Sequence, residues 1–226
     1  MQSSHSKIIG GHEVYSASLR TDILPLFDRK YSNVLDVGCS TGNTGVMLKD
    51  RHLCDFVTGI ELFEETAKVA KTRLDVVIVG PVEAALNQIA DHSQDCILCL
   101  DVLEHLVDPW SVIKALGNKL KTDGIIICSI PNVRHISVLF NLIFLGRWQY
   151  TDSGILDRTH LRFFTKASCR QLASLRGFTL ENIHGRLGPK SRLLNYLSLG
   201  IFRNFLFGQY LTRSRKVSDA SNGGVN

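Results

Sequence analysis

Between Val34 and Ile130, five short apolar runs alternate with stretches whose apolar residues recur every three or four positions. The runs are Val34–Val37, Phe56–Ile60, Val76–Val79, Cys96–Leu100 and Ile125–Ile130. Their length and β-branched content predict buried strands, and the stretches at 44–52, 62–74, 82–91 and 109–121 predict helices between them. Strands apolar on both faces and separated by helices point to a doubly wound α/β fold, a parallel sheet covered on both sides. Lys121-Thr-Asp-Gly124 predicts a helix stop and a turn into the fifth strand. After Pro131 the pattern changes. Residues 135–148 predict an apolar helix and 149–165 a polar loop carrying aromatics. A helix near 166–176, a strand near 178–185, an apolar stretch at 192–207 and a last strand near 207–216 follow. With 226 residues and 44% hydrophobic content, the chain has material for one ordinary core. Residues 1–216 are therefore expected to form a single domain with an insertion at about 133–165, and 217–226 a disordered tail.

Six cysteines permit fifteen full pairings, but Cys39, Cys96, Cys99 and Cys128 sit in or beside apolar runs, where Cys behaves as a small hydrophobe. The Cys96-x-x-Cys99 pair has no second Cys or His pair nearby, so zinc and redox chemistry are weakly supported. The first sixteen residues lack a charged region followed by an apolar core, and no apolar window reaches the ~18–20 residues of a spanning helix. These features lead to the expectation of a cytoplasmic protein with reduced thiols.

The densest local pattern is Val34-Leu-Asp36-Val-Gly38-Cys-Ser-Thr-Gly42-Asn-Thr-Gly45, a strand ending in an acid, a glycine turn and a helix. Glycines there let the backbone turn tightly and approach a ligand, while the helix N-terminus offers free N–H groups. About twenty residues on, the second run ends in Glu61, placed to accept from a ribose diol. A dinucleotide fingerprint requires G-x-G-x-x-G, and Ser40-Thr-Gly42-Asn-Thr-Gly45 lacks its first glycine. The acid-x-G-x-x-x-G form, Asp36-Val-Gly38-Cys-Ser-Thr-Gly42, instead resembles the class I S-adenosylmethionine (SAM)-dependent methyltransferases, and the likeness runs from about residue 13 to 216. It implies a Rossmann-like seven-stranded, mostly parallel sheet with the last strand antiparallel. It also implies SAM as cofactor, held by Asp36, Gly38, Cys39, Ser40, Gly42, Glu61, Leu62, Val82 and Asp101. One departure stands out: where the family often has an acid or amide for adenine, Pro81 offers neither charge nor N–H. Adenine contact then falls to backbone groups around Val82.

Asp101-Val-Leu-Glu104-His105-Leu106 follows the fourth run and resembles the small-molecule branch of the family, including ubiquinone-pathway and glycan-associated enzymes. Methyl transfer is an in-line displacement, so the protein aligns the acceptor and takes up its proton, work suited to an imidazole. His105 is the first candidate base; it could equally cap or pack the helix start. Asp101, Glu104 and His105 could instead ligate Mg²⁺ or Zn²⁺. The loop from Arg147 to Phe164 supplies His160 as a second candidate base. It also supplies Tyr150, Asp157, Arg158 and Arg162 as candidate acceptor contacts, with an Asp157–Arg158 ion pair pinning the loop as the alternative.

Charge is unevenly spread. Residues 1–133 hold 12 Lys/Arg against 17 Asp/Glu, whereas 134–216 hold 14 against 3, a local net charge of +11. The back-half cations stand singly among apolar residues, which disfavours nucleic acid and suits an anionic or partly apolar acceptor, peripheral membrane contact or a partner subunit. The resulting expectation is methyl transfer to an O or N atom of a small molecule, such as a sugar or a glycan or lipid-linked precursor. A non-catalytic SAM-binding partner protein and an RNA methyltransferase are the alternatives, and the oligomeric state is open.

Overall fold

The computed structural model describes residues 7–9, 12–14 and 19–217. A short antiparallel hairpin, Lys7–Ile9 with His12–Val14, comes first. Seven strands then form one sheet: β1 (Asn33–Val37), β2 (Phe56–Glu61), β3 (Val76–Val79), β4 (Gln94–Leu100), β5 (Leu120–Pro131), β6 (Phe178–Leu187) and β7 (Phe207–Lys216). Their spatial order is β3-β2-β1-β4-β5-β7-β6. β1 to β5 run parallel, and β7 enters antiparallel between β5 and β6. The expected doubly wound sheet with an antiparallel last strand is present.

Strand side chains alternate between two cores. On β4, Cys96 and Leu98 face a core shared with α1 (Asn43–Asp50) and with Ile23 and Leu26 of a 3₁₀ turn, Thr21–Leu26. Ile97 and Cys99 face the other, shared with α4 (Pro109–Lys119) and α6 (Lys166–Ala173). Each fully buried aliphatic side chain in these layers contributes about 1.5–3 kcal/mol. The helices on the second face have clear start signals. Asp108 accepts from the Ser111 N–H at 3.1 Å ahead of Pro109, and Thr165 and Ser168 form a reciprocal capping box.

Several boundaries differ from the sequence expectation. α2 spans only Glu64–Ala70, and α3 (Val82–Ala85) passes at once into a 3₁₀ turn, Leu86–Gln88. That turn brings Leu86 and Ile89 to one buried side, as three-residue periodicity requires. The expected turn at Lys121–Gly124 is a bulge inside β5: Leu120 pairs with Gln94 and Ile125 with Cys96, with Asp123 left-handed between them. α5 (Ile136–Leu145) stops at Gly146, which takes φ 61°. The stretch at 192–207 resolves into α7 (Pro189–Leu197) and α8 (Arg203–Leu206). The tail from 218 onward lies outside the described residues.

The back-half charge is also partly spent inside the fold. Arg213 and Arg215 both pair with Asp28 and Glu181, and the buried Lys216 ammonium donates to the Gly117 and Leu120 carbonyls at 2.8 and 2.9 Å. All six cysteines are free and buried; burial pushes the Cys54 thiol up to about 11 and that of Cys169 to about 12.

Candidate active site

The carboxyl ends of β1, β2 and β4 meet where the strand order reverses, the usual crevice for ligands in open α/β sheets. Leaving β1, Gly38 takes φ 70°, and a Cβ there would stand 2.6 Å from Val102 Cγ2. Only glycine lets the loop lie against the β4 corner. Gly42, at φ 81°, caps α1 and leaves the helix N–H groups facing the crevice. The Gly38 and Cys39 N–H groups donate to the Ile60 carbonyl at 2.8 and 3.0 Å, stapling the turn to β2.

Glu61 joins the two corners. Its Oε2 accepts from the Ser40 N–H at 2.8 Å and its Oε1 from the Phe63 N–H at 3.0 Å, leaving each oxygen a further lone pair for a diol. Leu62 beside it is more than half exposed, a free apolar surface next to the acid. Asp36 is buried and its Oδ2 has no hydrogen-bond partner. Burial pushes its carboxyl up to about 7, with Glu61 adding to the shift and Arg20 opposing it.

Two apolar members of the expected cofactor set have buried side chains. The Cys39 side chain is buried beneath the loop towards Gly59, so only its backbone reaches the crevice. Val82 is buried likewise; its backbone opens α3 behind Pro81. Asp101, in a left-handed conformation at φ 60°, is held from three sides. It accepts from Arg20 at 2.7 Å, Ser129 Oγ at 2.9 Å and Gln209 Nε2 at 2.8 Å. Arg20 in turn forks onto Asp22 at 3.0 and 3.1 Å. Sequence reasoning missed Arg20, a lone cation in a segment without a motif; its only signal was the need of an acid at the end of β4 for a partner.

The second polar centre assembles from distant segments. His105 ends a 3₁₀ turn, Leu103–His105, and its ring stands edge-on to His160, with centroids 4.7 Å apart. Each ring is oriented through Nδ1, on the Thr159 carbonyl for His105 and the Ile155 carbonyl for His160. The Leu161 and Arg162 N–H groups both donate to the Glu104 carbonyl, so the loop is sewn to the β4 corner through backbone. The Glu104 carboxyl is buried with neither oxygen hydrogen-bonded, and His160 Nε2 lies 4.0 Å from Oε1. Burial, reinforced by Asp101, holds that carboxyl well above the usual carboxylate range. Burial and the neighbouring His160 lower the His105 pKa.

The metal set suggested by the sequence, Asp101, Glu104 and His105, does not converge because Asp101 is committed to Arg20. Among the described residues, the ligand atoms that cluster, all within 4.8 Å, are those of Glu104, His105 and His160. Among the acceptor candidates, Arg158 pairs with Asp152 at 2.9 Å at the surface. Asp157 accepts from the Thr159 N–H and hydroxyl at 2.8 and 2.7 Å, bonds that pin the loop locally. Arg162 donates from Nε and a terminal nitrogen to the Val107 carbonyl and lies over the Trp110 ring at 5.8 Å, which anchors the loop. Tyr150 remains exposed beside Phe163.

A sheet of this order, with a glycine loop after its first strand and an acid closing its second, defines the class I SAM-dependent methyltransferases, whose cofactor is SAM. A family model described as a methyltransferase domain matches residues 12–183, and the chain belongs to that family. Among curated relatives, the ubiquinone biosynthesis O-methyltransferase of Neisseria meningitidis serogroup C is 29% identical over 122 residues, 51% of either chain. That of Xanthomonas campestris pv. campestris is 27% identical over 187 residues, 75% of this chain and 76% of the relative. The chain thus spans about half the length of the first relatives it matches. A SAM-dependent methyltransferase from Archaeoglobus fulgidus superposes with a TM-score of 0.65 at 19% identity, covering 86% of this chain and 90% of that one. A methyltransferase of Thermotoga maritima described as a possible histamine N-methyltransferase gives 0.61 at 18%, covering 86% of each. At such identities the superpositions speak for the fold. No helix among the described residues is long and apolar enough to cross a membrane.

Proposed function

We propose that the chain moves a methyl group from SAM to an oxygen of a small acceptor, with the His105–His160 pair receiving the acceptor's proton. The observation that carries this reading is the convergence of two imidazoles, each fixed through Nδ1, on the corner beside the glycine loop. In this reading Glu61 accepts from the ribose, the Gly38–Gly42 turn lies along the methionine part, and Leu62 and the Val82 backbone flank the adenine. Asp101 shapes the pocket floor through Arg20. His105, its pKa lowered, is neutral at physiological pH and open to a proton. An imidazolium formed at His160 would face the Glu104 carboxyl, which can ionise to pair with it. Oxygen is favoured over nitrogen as acceptor because the curated relatives are named O-methyltransferases. A phenolic hydroxyl suits an imidazole base better than a sugar hydroxyl, whose higher pKa asks more of it.

The test is transfer of labelled methyl from SAM to a panel of phenols, sugars and lipid-linked sugars, alongside calorimetry with S-adenosylhomocysteine. Micromolar binding with turnover on a hydroxyl acceptor is expected. Absence of binding by folded protein would overturn the reading, and binding with no transfer to any acceptor would convert the chain into a SAM-binding partner protein.

A further inference from the structure

We propose that the apolar surface carried by α5 and by the α7–α8 segment seats the protein on an anionic lipid bilayer. The inference does not depend on the methyl-transfer reading. Helix α5 (ISVLFNLIFL) has no charged residue, yet only Val138 is buried, and every residue from Asn141 to Tyr150 is exposed. Phe140, Ile143 and Phe144 stand in solvent, Phe144 at 72% exposure. The second segment repeats the pattern: Tyr196, Leu199 and Ile201 are 76–90% exposed, and no residue of α7 with a described side chain is buried. Contiguous apolar surface of this kind marks a contact face rather than ordinary surface.

Topology places both segments together. β5 ends at Pro131 and leads into α5; β6 ends at Leu187 and leads into α7; antiparallel β7 begins at Phe207. All three points lie on the carboxyl edge of the sheet, the edge that carries the glycine loop. Asn132 Nδ2 donates to the Asn204 and Phe207 carbonyls, and the Arg134 guanidinium lies over the Phe205 ring at 4.8 Å. The start of α5 is thereby held against α8.

Charge selects the occupant. Residues 132–150 and 186–208 contain no Asp or Glu, and Arg134, Arg147, Arg192 and Arg203 among them are all exposed. A twofold contact with a second copy would bring these cations towards their own images without an acid to offset them. A bilayer bearing phosphatidylglycerol offers apolar depth ringed by phosphate, complementary to both parts of the surface. At 1.5 Å per residue, the ten residues of α5 span about 15 Å, half the hydrocarbon core, so the helix lies in the interface.

The experiment is sedimentation of the full chain with vesicles of phosphatidylcholine alone or with about one third phosphatidylglycerol, together with light scattering for mass. Binding to the anionic vesicles, weakened by salt, is expected. Arg147→Ala with Arg192→Ala should lower partitioning roughly twenty-five-fold, since each surface cation near anionic lipid is worth about fivefold. Ile143→Ser with Phe144→Ser should abolish it with the circular dichroism spectrum and S-adenosylhomocysteine affinity unchanged. Equal binding to both vesicle types would overturn the anionic part of the proposal. No binding by folded wild-type protein would overturn the whole of it. A dimer that Ile143→Ser with Phe144→Ser dissociates, in place of vesicle binding, would assign the face to a second copy.

Discussion

Arg20 donates to Asp101 at 2.7 Å, tying the segment ahead of the sheet to the end of β4 across 81 positions. The same guanidinium grips Asp22 with two nitrogens, so a single side chain closes the crevice floor. Arg20→Ala leaves Asp101, partly open to solvent, without its cation and Asp22 with only the half-exposed Arg186 at 3.4 Å. We expect a loss on the order of 2 kcal/mol in denaturant unfolding, below the range for fully buried pairs, and weaker S-adenosylhomocysteine binding by calorimetry. Arg20→Lys should fall between, because an ammonium cannot reproduce the fork. Unchanged affinity and stability in Arg20→Ala would show that Asp101 is positioned by Ser129 and Gln209 alone.

Gly38→Ala combines a left-handed backbone with a Cβ 2.6 Å from Val102 Cγ2. The backbone cost alone is about 1–2 kcal/mol. Cofactor affinity should drop at least about tenfold while the sheet persists. Adding Val102→Ala relieves the clash but not the dihedral, so recovery should be partial. Complete recovery would assign the whole effect to the contact.

The Asp36 carboxyl titrates near 7 in the folded chain against 3.8 in the unfolded one. Folding therefore favours its protonated form. That stability is present below the unfolded value and is lost as pH rises through about 7, up to about 4 kcal/mol relative to Asp36→Asn. Thermal unfolding of the two proteins from pH 4 to 8 measures it. SAM carries a sulfonium, which favours the ionised acid, so SAM affinity should climb between pH 6 and 8 in the wild type and stay flat in Asp36→Asn. A parallel climb in both would exonerate Asp36.

His105→Ala and His160→Ala should each lower kcat by about a hundredfold or more, the range of general-base catalysis, with S-adenosylhomocysteine affinity preserved. The neutral imidazole is the working form, so activity should fall as pH drops below the lowered His105 value. Removing His160 removes one cause of that lowering, and the acid limb of residual activity in His160→Ala should move to higher pH. An unmoved limb would separate the two rings energetically.

The five parallel strands were legible because their side chains feed two cores in strict alternation, as Cys96 to Cys99 illustrate. Gly38, Gly42 and Glu61 were legible because backbone geometry leaves few alternatives there. His160 could be named from its loop but not placed beside His105, since that contact depends on backbone bonds from Leu161 and Arg162 to Glu104. The partners of Arg158 and Arg162, Asp152 and the Val107 carbonyl, were not legible, because arginine composition alone does not tell which acceptor a guanidinium meets. Part of the basic back half was not legible as internal pairing: Arg213 and Arg215 answer Asp28, an acid of the other half, across more than 180 positions.

The six free cysteines divide evenly between the two cores, Cys39, Cys54 and Cys96 on one face of the sheet and Cys99, Cys128 and Cys169 on the other. Each face thus carries its own silent reporters. A thiol reagent can reach them only as a layer parts from the strands, and mass mapping of labelled positions would read out which side loosens first. The chain carries a built-in record of the order in which it comes undone.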